Sequence, residues 1–386
     1  MRVCYFGTYR ANYARNQNMI EGLRRNGVEV IECQVPLWFG IEDRVQVASG
    51  GWIKPTFWWR VIKAYYKLLK RYKEIGQYDI MIVGYPGQID ILLAKILTSF
   101  RHKPLVWDIL MSLYLVAIER GLDKHFISIK LIYIIEWLAL RFADILIIDT
   151  EFYRKWIIDT YGVKINKFRL IPIGADDRIF KPIQTDLTNP QNFQIIYYGS
   201  YIKNHGTEYI IEAANILRNH SDIIFLMIGE GPERQKAMDL ATQYELTNIQ
   251  FINWLEKNEL TKFIGKSDVC LGTFGETPQS LITIHNKIYE GLAMKKPVVT
   301  GASPAIQKAF IHEENIFLCK RKDPKSLANA ILTLKLNPII RQNIAENGYK
   351  LFCEKYNLLS LGKCYKDCLL DVLKISNNFS TDFARK

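Results

Sequence analysis

Asn286-Lys-Ile-Tyr-Glu-Gly-Leu-Ala-Met-Lys-Lys-Pro-Val-Val-Thr300 passes from a helical pattern, through a Lys295-Lys296-Pro297 break, into an apolar strand. Helix, short turn and buried strand together make half of the unit that builds a parallel sheet. The same rhythm runs outward in both directions. Toward the N-terminus, strands are expected at 194–198, 223–228, 249–252 and 269–271, with helices at 208–218, 231–243 and 257–264 between them. A polar, proline-containing interval at 181–192 reads as a linker. Before it the alternation repeats: strands at 2–6, 28–33, 79–83, 104–107, 145–148 and 169–171, with helices at 18–26, 58–72, 89–98 and 130–141. The pattern predicts an α/β protein of two doubly wound, Rossmann-like domains, 1–180 and 193–360, facing across a cleft. A last helix, about 361–386, is expected to pack back on the first domain.

Bulk properties narrow the class. With 386 residues the chain is long for one core, and 49% hydrophobic content excludes disorder. No uninterrupted apolar run reaches the roughly 18 residues that a membrane span needs. The start, Met1-Arg2-Val3-Cys4-Tyr5, reads as a buried strand rather than a signal peptide, so a cytoplasmic protein is expected. Seven scattered cysteines give no disulfide framework and no ligand spacing for a metal. There is no Asp-x-Asp element either, and neither a metal nor a cofactor is expected.

The formal charge of +12 is uneven. From Lys54 to Lys73 there are seven basic residues and no acid, with Trp58, Ile62, Tyr65, Leu69 and Tyr72 at helical spacing. Such a helix suits an anionic membrane surface, which would make the protein peripheral on the inner face of a membrane. It equally suits a half-solvated helix whose lysine stems cover the core. Nothing marks a nucleic-acid groove.

The site chemistry returns to residues 286–300. Lys287 and Glu290 stand three apart, so their side chains share one face of the first helical turn. Phosphate is favoured by helix N-terminal amides and an ammonium, and a ribose diol by a carboxylate acceptor. A surface helix with an ordinary ion pair fits the same spacing. Two further turns repeat one design, strand end, glycine, helix start: Tyr198-Gly199-Ser200 and Gly229-Glu230-Gly231-Pro232. Glycine there lets backbone approach a ligand closely.

Taken in order, these elements resemble the retaining glycosyltransferases of family 4, which have the GT-B architecture. The resemblance rests on Leu226-Met-Ile-Gly-Glu-Gly-Pro-Glu-Arg234, on Asn248-Ile-Gln-Phe-Ile-Asn-Trp-Leu255 and on the segment from Asn286 to Val299. Gly7-Thr8-Tyr9, Tyr13-Ala-Arg15-Asn16, Trp107-Asp108 and Ser112-Leu-Tyr114 are similar to a bacterial subgroup. The likeness implies transfer of a sugar from a nucleotide-sugar donor to a glycan or lipid-linked acceptor, in cell-surface polysaccharide or glycolipid synthesis. It places Gly199, Ser200, Lys203, Gly229, Glu230, Gly231, Ile252, Asn253, Asn286, Lys287 and Glu290 at the donor. Gly7, Thr8, Tyr9, Arg10, Arg15, Ser112 and Tyr114 would face the acceptor. Lys287 would stabilise the leaving group, and Asp108 would orient the acceptor hydroxyl or take its proton, although a strand-end aspartate also caps turns.

Three departures stand against the family pattern. Ile282 occupies the place of an earlier glutamate that touches the donor sugar. Ser200 and His205 stand where Arg and Lys are common, and Asp108 stands where a histidine is common. Two other readings remain at this point: a GT-B epimerase or hydrolase, and a nucleotide-sugar-binding protein without transferase activity.

Overall fold

A computed structural model describes residues 1–37, 51, 54–183 and 192–383. Most of the expected linker, 181–192, lies outside the described residues. The chain forms two compact units, Met1–Pro172 with Leu358–Lys386, and Ile173–Asn357.

The first unit contains β1 (Arg2–Gly7), β2 (Glu29–Gln34), β3 (Ile80–Val83), β4 (Leu105–Asp108), β5 (Ile145–Ile148) and β6 (Phe168–Leu170). They form one parallel sheet in the order β2-β1-β3-β4-β5-β6. Every residue of β3 and β5 is buried, which explains their unbroken apolar sequences: helices cover both faces. On one face the helices Ala14–Arg25 and Leu358–Phe383 pack together, and Leu361, Tyr365 and Leu369 join Val3, Tyr5 and Ile82 in a single core. A Cβ on Gly362 would lie 1.8 Å from the Gly22 carbonyl oxygen, so only glycine permits this backbone contact.

Right-handed crossovers from β2 through β5 place the helices Pro55–Glu74, Asp90–Arg101 and Phe126–Phe142 on the opposite face. The Tyr65 hydroxyl donates to Asp90 Oδ1 at 2.6 Å, and Arg101 lies over the Tyr72 ring, tying the first two together. The second packs on the third. Helix Pro55–Glu74 corrects the expected stripe. Its core face is Phe57, Val61, Ala64, Leu68 and Tyr72, whereas Trp58, Ile62 and Leu69 are exposed. The helix carries apolar residues on two faces, and the sequence pattern selected a line between them.

The second unit repeats the plan with β7 (Phe193–Tyr198), β8 (Ile223–Ile228), β9 (Ile249–Ile252), β10 (Val269–Leu271), β11 (Val298–Gly301) and β12 (Phe317–Cys319). All pairings are parallel, in the order β12-β11-β10-β7-β8-β9. Strand order reverses between β10 and β7. In open α/β sheets a ligand binds outside the carboxyl ends of strands at such a reversal. All seven cysteines are free. No helix among the described residues is long and apolar enough to cross a membrane.

Candidate functional site

The carboxyl end of β7 turns at Gly199, whose amide donates to the Ile228 carbonyl, and the Gly229 amide in turn donates to the Ile252 carbonyl. Three strand ends are thereby stapled side by side. Gly229 has φ 129°, and a Cβ there would fall 2.0 Å from the Gly199 oxygen; at Gly231, φ 148°, it would fall 2.6 Å from the Tyr201 nitrogen. Only glycine fits this stack of turns, which presents bare backbone at the reversal point.

Helix Asn286–Ala293 delivers Lys287 to the same place. Its side chain is 5% exposed, with Nζ 3.2 Å from His205 Nδ1 and 4.0 Å from the centre of the Tyr197 ring. A Cβ on Gly199 would sit 3.4 Å from that Nζ. Burial pulls the Lys287 ammonium down to about 7, against the opposing pull of Glu290. Among the described residues Lys287 has no carboxylate within 4 Å, so the surface ion pair that its spacing also allowed is not what forms. The lysine is inside, and its near neighbours are neutral.

Burial and the adjacent Lys287 hold His205 well below its ordinary value. His285 drops to about 3 by burial, with Lys287 and Arg321 adding to the effect. The two imidazoles meet edge to face at 5.0 Å. The Tyr197 hydroxyl lies 2.8 Å from His205 Nδ1 and 2.9 Å from the Ser200 carbonyl. Glu290, half-buried, is pushed up to about 7 by burial, while Lys257, Lys287 and the Tyr198 hydroxyl pull the other way. A lysine and a glutamate that both titrate near neutrality mark a site held in tension by its surroundings.

The remaining expected donor residues surround this centre. Ser200 and Ile252 contribute the carbonyls already named. Lys203 is exposed on the short turn before Gly206, and Asn286 opens the lysine-bearing helix, half-buried. Glu230 and Asn253 are both reached by Arg234, at 3.9 Å through Nε and 2.9 Å through Nη2. Arg234 closes the quoted glycine-rich motif but was given no role there, and sequence reasoning missed Arg321. The latter is 7% exposed, donates to the carbonyls of Ala302 and Gly275, and keeps Nη2 buried without a partner. Burial lowers it to about 10. It borders a cavity lined by Glu276, Leu281, Ala302 and the run Lys320 to Asp323. Four consecutive polar residues after a buried strand were its only sequence signal.

In the first unit the expected acceptor residues divide. Gly7 ends β1, and Thr8, Tyr9 and Arg10 follow it at that sheet's own reversal, between β1 and β3. The Thr8 amide and hydroxyl both donate to Asp90, and the Tyr9 hydroxyl, on a fully buried side chain, donates to Glu32. Arg15 and Asp108 pair with each other at 2.9 Å with neither side chain exposed, and Arg15 also donates to the carbonyls of Ile171 and Pro172. The Asp108 carboxylate is therefore committed to an internal cation, and it offers no exposed oxygen to a hydroxyl. Ser112 caps the helix Leu113–Glu119 and donates to Glu136, and Tyr114 packs against Tyr133 and Tyr161. Arg10 is half-buried.

Residues 181–351 match the family described as "Glycosyl transferases group 1". That match lies within the second unit. Among curated proteins the chain is similar to the lipopolysaccharide core biosynthesis glycosyltransferase LpsD of Rhizobium meliloti, 22% identical over 48% of this chain and 51% of that one. It is also similar to the capsular polysaccharide biosynthesis glycosyltransferase CapM of Staphylococcus aureus, 23% identical over 61% and 62%. The chain spans about half the length of most of the curated relatives it matches. Solved structures extend the likeness in fold. Anabaena Alr3699/HepE in complex with UDP aligns with TM-score 0.68 at 15% identity, over 96% of this chain and 99% of that one. Sucrose-phosphate synthase from Thermosynechococcus elongatus aligns with TM-score 0.71 at 17% identity over the whole of both. The fold is the expected GT-B class, built from two Rossmann-like domains with a six-stranded parallel sheet each.

Proposed function

We propose that this protein is a retaining, metal-independent glycosyltransferase acting on a nucleotide sugar in the synthesis of a cell-surface polysaccharide or glycolipid. The observation that carries this reading is the Lys287 ammonium, buried at the strand reversal of a group 1 domain with no counter-ion beside it. A diphosphate would supply the missing charge. Gly199, Gly229 and Gly231 leave the backbone open to close approach, and Glu290 offers an acceptor to the ribose hydroxyls.

In the reaction the bond between the anomeric carbon and the diphosphate oxygen breaks, and the acceptor oxygen bonds that carbon on the same face. The acceptor proton passes to the departing phosphate. Negative charge builds on the diphosphate as it leaves, and preorganised cations and amides that meet it lower the barrier. Lys287 supplies this role as an organic cation, which is the support for independence from metal. UDP in the Anabaena relative makes a uridine nucleotide the first donor to try. The names of LpsD and CapM support a glycan or lipid-linked acceptor, and the basic helix from Lys54 to Lys73 supports a peripheral membrane setting.

The test is release of nucleoside diphosphate from a panel of nucleotide sugars, with and without membrane-extracted glycolipid, in the presence of a chelator. Sugar transfer that retains the anomeric configuration is expected. Absence of both transfer and slow donor hydrolysis across the panel would refute it.

A further inference from the structure

His205 sits in a short turn that its neighbours in the second unit hold tightly. Its carbonyl accepts from the Phe274 amide at 2.9 Å, and the Asn204 side-chain amide donates to Gln279. Gly206 follows in a left-handed conformation, φ 61°, and a Cβ there would fall 2.3 Å from the Gly275 nitrogen. Backbone packs on backbone, so the strand of chain that carries the imidazole is fixed. The ring is buried, and its Nδ1 meets two neighbours: the Tyr197 hydroxyl at 2.8 Å and Lys287 Nζ at 3.2 Å. The Ser200 carbonyl completes the group, 2.9 Å from the same hydroxyl.

One ring nitrogen cannot serve both neighbours in the same way in every protonation state. While Lys287 is an ammonium it can only donate, so Nδ1 must be bare and the ring hydrogen stands on Nε2. Once Lys287 is a neutral amine, Nδ1 can carry the hydrogen and donate to the Tyr197 oxygen, whose own hydrogen then goes to the Ser200 carbonyl. The two networks differ by one proton on the lysine and by the tautomer of His205. No carboxylate among the described residues pairs with the lysine; Glu290, a turn further on, opposes the effect of burial from a distance. The other groups that face it are Tyr198, whose hydroxyl donates to the Lys287 carbonyl, and His285, edge to face with His205. Beyond them, Lys257 acts on Glu290 and Arg321 acts on His285. Burial leaves Lys287 at about 7, so both networks lie within ordinary pH.

We propose that His205 is the positioning residue for Lys287, and that an anion entering this site draws a proton from solvent onto the lysine. The amine takes up one proton and becomes the cation that meets the anion. The imidazole changes tautomer with no net gain or loss of its own. His205 touches no ligand; it accepts from the ammonium and so keeps it at the strand reversal. The inference rests on the donor reading, and adds to it a dependence on pH and a neutral residue through which that dependence acts.

Histidine-selective nitrogen NMR of the full chain without ligand tests the tautomer. Nδ1 of His205 should be bare at about pH 6 and protonated at about pH 9, and in Lys287→Met it should not change over that range. Calorimetry with UDP-glucose, whose diphosphate does not titrate there, tests the proton. In buffers of different ionisation enthalpy, a net uptake of about 0.8 proton is expected at about pH 8, where Glu290 is already ionised, and none in Lys287→Met. Affinity should fall about tenfold per pH unit above that. His205→Leu removes the acceptor and should weaken binding about 10- to 100-fold at about pH 8, with the loss shrinking toward about pH 5.5. His205→Gln, which offers a carbonyl instead, should restore most of it. A histidine needed only for packing would give equal losses at both pH values, and that result overturns the proposal. Binding of UDP-glucose without proton uptake also overturns it and leaves the donor reading standing. So does a tautomer that is the same at both ends of the range, or one that still changes in Lys287→Met. If UDP-glucose binds at no pH, the donor reading is the one that suffers, and the ligand-free spectra still decide this inference.

Discussion

Replacing Lys287 with methionine should make the protein more stable and unable to hold a diphosphate. In the folded chain the ammonium sits near 7, against 10.5 when solvated. Below pH 7 both folded and unfolded chains carry the proton, and the folded state bears the whole cost of a buried charge. Between pH 7 and 10.5 the folded state sheds its proton first and the cost shrinks; above 10.5 it is gone. At 1.36 kcal/mol per pH unit the ceiling is on the order of 5 kcal/mol. The hydrogen bond to His205 and the face of Tyr197 are lost with the lysine, which leaves a net gain of roughly 1–3 kcal/mol at pH 6. At pH 9 the gain should vanish or reverse, because the folded lysine is already neutral and two pH units of the cost, roughly 2.7 kcal/mol, have been relieved. Urea denaturation of both proteins at the two pH values measures this directly. A nucleoside diphosphate should raise the melting point of wild type and leave the variant unmoved. A variant less stable than wild type at pH 6, with an intact ligand shift, would show that Lys287 is a structural lysine and nothing more.

The other expectations concern neighbouring groups. Glu290→Gln should weaken nucleotide binding by about 2 kcal/mol, near thirtyfold by calorimetry, with turnover at saturation less affected. Gly229→Ala meets the Gly199 oxygen at 2.0 Å and should cost more than about 3 kcal/mol or prevent soluble expression, whereas Gly121→Ala, with no atom within 4 Å, should cost about 1 kcal/mol for its positive φ; comparative melting decides. Asp108→Ala strands Arg15 as a buried charge and should destabilise by about 3–5 kcal/mol in urea, while Arg15→Met with Asp108→Leu should recover most of that.

Regular buried strands were legible because burial on both faces leaves only apolar side chains: 145–148, 223–228 and 269–271 were expected at the bounds observed, as was the edge strand 249–252, whose Gln250 is exposed. Between Thr300 and the last helix nothing was expected, yet Pro304–Ala309, Pro324–Leu336 and Pro338–Lys355 are helices. Each opens on proline, two of them behind a capping Ser303 or Asp323, a start signal that was available and unused. The Arg15–Asp108 pair was beyond reach for another reason: the partners are 93 residues apart, and only the tertiary fold makes each the other's counter-ion. Lys287 and Glu290 lay between these extremes. Their shared helical face follows from spacing, but the burial that lowers one and raises the other comes from packing beneath β7 and β10.

The two sheets share a design, and comparing their reversal points explains why only one holds an unmet charge. In the first unit the charge near the β1–β3 reversal is Asp90, and the chain itself answers it: the Thr8 amide and hydroxyl and the Tyr65 hydroxyl all donate to it. Asp108, one strand further on, is answered by Arg15. In the second unit the charge at the β10–β7 reversal is Lys287, faced by histidines that burial keeps neutral. Burying an ammonium against groups that cannot neutralise it costs stability, and a stable protein tolerates that cost where the charge has use. The first reversal point is closed by its own side chains, whereas the second leaves Lys287 without an internal anion.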